Sequence, residues 1–224
     1  EDLRGGDFRA RQAAFRVGIH NDGWGWATGS PYSDLQEMVD GHNRYGSDLR
    51  GALVDRLSRQ LLLAFMVELM PDPSNRITVD PKYRDGLGNM RPVLSYSLPD
   101  YTLAGVASAR RISKQIYQRL GVEDHTVYRP QDTGYVSYQG EGYVIRGGNH
   151  WGGSHIMGSD PSTSVVDDYQ RSWDHDNLYL VGAGSMASIG TANTSLTLAA
   201  LCLRSAERMN DTLTAEQSVT LTSV

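Results

Sequence analysis

Hydrophobic positions fall at helical and strand spacings through the first 146 residues, and the character of the chain changes from Gly147 onward. Residues 1–35 keep no sustained period, and one short strand is predicted there, at Phe15–Ile19. Leu49, Leu53, Val54 and Leu57 mark one face of an amphipathic helix over Ser47–Leu57. Leu61–Met70 is short and strongly apolar, the pattern of a buried strand. The turn Pro71-Asp72-Pro73-Ser74-Asn75 leads into a short strand, Arg76–Asp80, with Ile77 and Val79 on one face. Val93–Leu98 alternates apolar and polar residues until Pro99-Asp100 ends it and opens a helix from Tyr101 to Leu120. Val106, Ile112, Ile116 and Leu120 keep that helix's apolar face, and Gly121 closes it. Tyr135–Tyr138 and Tyr143–Ile145 predict two more strands around Gly140-Glu141-Gly142. Short strands with two helices give an α+β fold built on an antiparallel sheet.

Beyond Gly147 the pattern is different. Asn177-Leu178-Tyr179-Leu180-Val181 predicts a buried strand, followed at once by Gly182-Ala183-Gly184-Ser185. Asn193-Thr194-Ser195, all good N-cap types, leads into Leu196–Met209, apolar nearly all round like a helix packed inside a layered domain. The free N–H groups and positive end of such a helix favour an anionic partner, a phosphate or a reduced flavin ring. After Asn210 the chain is polar, rich in Thr and Ser, and expected to be loosely ordered.

Composition narrows the class. A chain of 224 residues is long enough to bury roughly 70% of its unfolded surface, so a real core is expected. With 39% hydrophobic and 21% charged residues it is not a disordered chain, and a net charge of −5 provides no basic surplus for gripping nucleic acid. One cysteine excludes an internal disulfide framework and multi-cysteine metal sites. The apolar run Leu61–Val67 stops at Glu68, far short of the ~20 residues a membrane span requires. The chain opens Glu1-Asp2-Leu3-Arg4, without Met or a signal-peptide pattern, which fits either a trimmed end or the later part of a larger enzyme.

The candidate chemistry lies in residues 147–158, Gly-Gly-Asn-His-Trp-Gly-Gly-Ser-His-Ile-Met-Gly. Its glycines let the backbone approach a flat or bulky ligand, and it carries His150 and His155. Neither a His-Glu-x-x-His pattern nor a cysteine pair accompanies them, so a zinc site is not expected. Gly182-x-Gly184 has no third glycine until Gly190 and no strand with an acidic residue after it, against a primary ADP-binding fingerprint and an NAD-dependent dehydrogenase. No Gly-x-Ser-x-Gly elbow marks a serine hydrolase. Trp24, Trp26 and Trp151 are of a type that stacks on sugars, and Trp151 stands beside His150.

Taken in order, His150-x-x-Gly153-x-x-x-Met157-Gly158, Ser164-Val165-Val166-Asp167, Asn177-Leu178-Tyr179-Leu180-Val181-Gly182 and Asn193-x-x-Leu196-Thr197 resemble the C-terminal region of glucose–methanol–choline (GMC) oxidoreductases. These flavoenzymes use FAD to oxidise alcohols, and the likeness is closest to the branch of fructose and gluconate dehydrogenases and pyranose oxidases. Glu68–Pro71, Asn75–Thr78 and Ser95–Tyr101 look like that branch's substrate-domain sheet and helix. The resemblance implies an antiparallel-sheet substrate domain over 1–146, the C-terminal strand and helix of an FAD-binding α/β domain with an active-site loop over 147–210, and a polar tail over 211–224.

Residue by residue, His150 matches the family's active-site histidine and Asn193 its partner. Gly182 and Ala183 match residues that touch the cofactor; Gly182 agrees with the sugar-oxidising branch where many relatives have Asp. Thr194 stands where many relatives have Pro, and His155 has no fixed counterpart. Trp151 is the candidate substrate contact. Alcohol oxidation needs a base for the hydroxyl proton, suited to neutral His150, and an amide that orients the alcohol, suited to Asn193. The hydride acceptor must be a cofactor, here FAD. No Gly-x-Gly-x-x-Gly unit occurs in 1–146, so a second polypeptide carrying the dinucleotide-binding part is expected, and a small sugar, glycoside or polyol is the expected substrate. The alternative is a non-catalytic subunit or carbohydrate-binding module on the same fold.

Overall fold

The structure, a computed structural model, describes residues 6–20, 31–147 and 150–222, the side chains at 31, 33 and 216–222 excepted. Trp24 and Trp26 lie outside the described residues. The chain divides into two compact units, residues 1–67 with 103–146 and residues 68–102 with 147–224.

The first unit is built on strands β1 (Phe15–His20) and β2 (Leu62–Val67), antiparallel with Phe15 opposite Val67 and His20 opposite Leu62. Helix α1 (Pro31–Gln36) runs on through a wider turn, Glu37–Gly41, and α2 (Gly46–Ser58) follows. The fully buried carboxylate of Asp34 is met by Arg56 Nε at 3.2 Å and Gln60 Nε2 at 3.5 Å. Helix α3 (Asp100–Leu120) belongs to this unit from Leu103 onward. Its buried face is made largely of small residues, Gly105, Ser108, Ala109 and Ser113, and Leu120 is exposed. The helix backbone comes so near its neighbour that a β-carbon at Gly105 would stand 2.8 Å from the Ala13 carbonyl oxygen and 3.1 Å from Val67 Cγ1. Gly121, at φ +65°, ends the helix as expected, and Val122 N–H returns to the Tyr117 carbonyl at 3.2 Å. Strands β5 (Tyr135–Tyr138) and β6 (Glu141–Val144) form a hairpin whose two turn residues, Gln139 and Gly140, both have positive φ.

The second unit holds a longer ribbon, β3 (Arg76–Arg84) and β4 (Met90–Ser95), antiparallel with Arg76 opposite Ser95. Its register shifts between Val79 and Arg84, where Pro81 cannot donate to a ladder, and Pro92 sits opposite Val79. Ile77, Val79, Tyr83, Met90 and Leu94 are all exposed on it. The strand expected at Asn177–Val181 is not formed. Tyr179 makes a lone antiparallel bridge to Arg171, and Leu178 and Val181 are exposed. A strand is stable only where a neighbour offers a run of partners, and here the neighbour offers one residue. The segment from Met157 to Tyr179 is a series of such single bridges.

Helix α4 (Ser195–Thr222) closes the unit and absorbs most of the tail expected to be loose. Thr212 and Thr214 donate their hydroxyls to the carbonyls of Arg208 and Asn210 four residues back, and no Gly or Pro interrupts the run. The core is thinner than the chain length suggests. Among the described residues, the buried hydrophobic side chains are Ala13, Met38, Leu63, Leu103, Ala109, Tyr143 and Val166. Among the described residues each sheet has two strands, and a two-stranded ribbon buries little without a layer on each face. Among the described residues, no helix is long and apolar enough to cross a membrane.

Candidate active site

Two segments of the second unit run alongside each other and carry most of the candidate residues. Gly153, His155 and Met157 donate their N–H groups to the carbonyls of Ala183, Gly184 and Ser185 at 3.4, 3.0 and 2.8 Å. The Ile189 side chain takes the space a β-carbon would need at Gly152, and Ile189 is itself paired with Leu69 through bonds of 2.8 and 3.1 Å. The segment from Gly152 to Met157, downstream of His150, is thereby fastened to the turn that begins at Gly182.

Gly182 has φ +105°, a conformation that strains any residue with a β-carbon, and among the described residues nothing lies within 4 Å of where that carbon would be. The turn Ala183–Ser185 follows it as a short 3₁₀ helix. His150 is half-buried, and Trp151 beside it is 74% exposed. Thr194 is buried, and its carbonyl accepts the Leu198 N–H at 2.9 Å at the start of α4, with Asn193 exposed just ahead of it. Among the described residues, no hydrogen bond joins His150 to Asn193; the two stand on separate segments of one unit.

His155 packs against Gly184 with its Nδ1 3.1 Å from Ser154 Oγ. Its Nε2 is buried and meets no partner among the described residues. Next along the chain, the backbone N–H and hydroxyl of Ser162 hold the Asp160 carboxylate below its usual pKa range. Ser164 Oγ donates to the Asp160 carbonyl at 2.7 Å and accepts Trp173 Nε1–H at 2.9 Å, closing the loop after Gly158. Among the described residues, no group of three or more His, Cys, Asp or Glu comes together to hold a metal ion.

A polar cluster that the residue pattern does not announce lies behind the Gly182 turn. Gln170 is fully buried in a left-handed backbone conformation, φ +62°. Its Nε2 donates to Ser185 Oγ at 2.5 Å, and its Oε1 accepts from Ser205 Oγ of α4 at 2.8 Å. Ser185 Oγ in turn donates to the Gly182 carbonyl at 2.8 Å.

A family model for GMC oxidoreductases matches residues 71–202, over half of the chain. The chain belongs to the GMC oxidoreductase family. This GMC chain is 30% identical to the fructose dehydrogenase large subunit of Gluconobacter japonicus over 214 residues, 94% of this chain and 35% of that protein. It is 23% identical to 2-methyl-1,2-propanediol dehydrogenase of Mycolicibacterium austroafricanum over 197 residues, covering 83% of this chain and 32% of the relative. It is 28% identical to paromamine 6'-oxidase of Streptomyces fradiae over 137 residues, 61% and 23% of the two. The chain thus spans about a third of the length of the first two relatives.

Proposed function

We propose that this GMC chain supplies the substrate-facing part of an FAD-dependent alcohol oxidoreductase that oxidises a sugar, glycoside or polyol hydroxyl. One observation carries the reading furthest: downstream of His150, alternate residues Gly153, His155 and Met157 are hydrogen-bonded to successive carbonyls of the turn, Ala183, Gly184 and Ser185. The loop that carries the candidate base is thereby tied to a turn whose first residue, Gly182, has no side chain.

The residues fit the reactive part of a flavin in chemical kind. Among the described residues, nothing lies within 4 Å of a β-carbon placed at Gly182 and the buried Nε2 of His155 lacks a partner, and an imidazole, His150, and an amide, Asn193, stand on separate segments of the same unit. Gly182, Ala183 and Thr194 would hold the group. The chemistry FAD supplies when bound is acceptance of a hydride from the alcohol carbon. His150 takes the hydroxyl proton onto a ring nitrogen as the C–H electron pair leaves, so the alcohol becomes a carbonyl. Asn193 donates its amide N–H to the alcohol oxygen and holds the charge that develops there. Trp151, largely exposed, offers a ring face to a sugar.

The reading includes a second polypeptide or segment that brings the dinucleotide-binding part. Two facts support it: a sequence without the Gly-x-Gly-x-x-Gly unit, and exposed Leu196, Leu203 and Leu213 along α4. The relative named a large subunit favours an assembly of more than one chain.

The test is an absorption spectrum of the native material beside a denaturing gel, followed by turnover of a sugar panel. Bound flavin with a second polypeptide, and a loss of about 10²–10⁴-fold in turnover for His150→Ala with the flavin retained, is the expected result. Flavin held tightly by this chain alone would overturn the partner. Near-normal turnover by His150→Ala would overturn the base. Sugar binding without turnover would point to a carbohydrate-binding module.

A further inference from the structure

We propose that Gln170 is a positioning residue, linking α4 to the Gly182 turn and through that turn to the segment that follows His150. The proposal rests on the reading of this region as the oxidation site.

The cluster forms a directed chain. Ser205 Oγ–H donates to Gln170 Oε1, Gln170 Nε2–H donates to Ser185 Oγ, and Ser185 Oγ–H donates to the Gly182 carbonyl. The Ser205 hydroxyl has one proton to share between Gln170 Oε1 and the Leu201 carbonyl, 3.0 Å away, so the α4 end of the chain is a divided bond and the links through Ser185 to Gly182 are the undivided ones. All three side chains are 0–1% exposed, so water does not compete for these bonds. Ser185 also offers its carbonyl to Met157 N–H at 2.8 Å, so the final link reaches the histidine-bearing loop.

The backbone at Gln170 is constrained to match. A non-glycine residue at φ +62° lies in the left-handed region that disfavours a β-carbon, and it persists only where the surroundings hold it. Here the Asp167 carbonyl accepts Gln170 N–H at 3.0 Å, and the Gln170 carbonyl accepts Leu180 N–H at 2.9 Å. The Asp167 carboxylate accepts the N–H groups of Tyr169 and Arg171, both at 2.9 Å. A leucine would fill this volume without polar groups to satisfy. A glutamine held in a strained conformation is used for the direction of its two ends.

The experiment is hydrogen–deuterium exchange on the full chain, with Gln170→Leu, Ser185→Ala and Ser205→Ala. Gln170→Leu and Ser185→Ala are expected to raise exchange by about fivefold or more in 182–187 and 153–157, with α3 unchanged. Ser205→Ala touches neither segment directly, and it is expected to raise exchange in 182–187 by a smaller factor. A uniform rise across both units for Gln170→Leu, or no change in 182–187 for Ser205→Ala, would overturn the linkage.

In the flavin-loaded enzyme, Gln170→Leu should lower kcat at least tenfold (roughly, from displacement of an aligned group) while KM holds. A structural role alone would lower the active fraction and leave both constants of the remainder unchanged. Unchanged kcat in Gln170→Leu with a dead His150→Ala overturns the positioning role. An active His150→Ala with the exchange pattern intact overturns the functional reading and leaves the linkage standing.

Discussion

His155 fills the space that a side chain at Gly184 would need. A β-carbon there would lie 2.5 Å from His155 Nδ1 and 2.5 Å from Ser154 Oγ, while His155 N–H bonds the Gly184 carbonyl at 3.0 Å. Gly184→Ala must therefore displace the imidazole or part the two segments. A cost of about 1–3 kcal/mol is expected, with faster amide exchange at 153–157 as the signature. A variant as stable as the parent, with unchanged exchange, would show that the imidazole moves aside freely.

The tight approach of α3 in the first unit gives a second expectation. At Gly105 the nearest obstacle is the Ala13 backbone, which cannot rotate away as a side-chain end can. Gly105→Ala should destabilise the first unit by about 1–3 kcal/mol despite the higher helix propensity of alanine. Denaturant unfolding followed by far-ultraviolet circular dichroism would measure it, and a stabilised variant would contradict the packing.

Acid stability should depend on Asp124. Arg110 meets its carboxylate at 2.8 Å. Burial pushes its pKa up, but donation from Arg110 and Thr126 outweighs that and leaves it below the usual carboxylate range. A folded pKa below the unfolded value means stability that is present above about pH 4 and lost as pH falls through the lower folded value. Asp124→Asn should cost about 1–2 kcal/mol at neutral pH, with the gap from the parent closing below about pH 4. A gap independent of pH would assign the loss to packing instead.

Asn193 offers a sharper test of the chemistry than its neighbour Thr194. If its amide holds the alcohol oxygen, Asn193→Ala should reduce kcat by about 10²–10³-fold in the assembled enzyme and leave flavin content unchanged. Loss of flavin with the activity would move Asn193 from the substrate to the cofactor.

Much of the first unit was legible in the chain. The strand at Phe15, the helices from Gly46 and Asp100, the glycine stop at Gly121 and the hairpin around Gly140 follow from period and turn chemistry. Such signals are local. The buried side of α3 was not legible, because it is chosen by how near Ala13 comes, and small residues give no apolar period. Asn177–Val181 has a strand's composition and no ladder to join. In the candidate site, the glycines and histidines announce themselves by type. Gln170 does not, since its role comes from burial and from Ser185 and Ser205, 15 and 35 residues away.

The ribbon of β3 and β4 bears on how the chain behaves in solution. Ile77, Val79, Tyr83 and Leu94 would make an open ribbon a template for neighbouring copies. Pro81 and Pro92 remove donors from its two strands, and Arg76, Lys82, Arg84 and Arg91 place positive charge between the apolar side chains. Two copies brought edge to edge would meet missing hydrogen bonds and like charges. The ribbon can thus present apolar surface to a fitting protein layer and still resist indiscriminate stacking into fibrils.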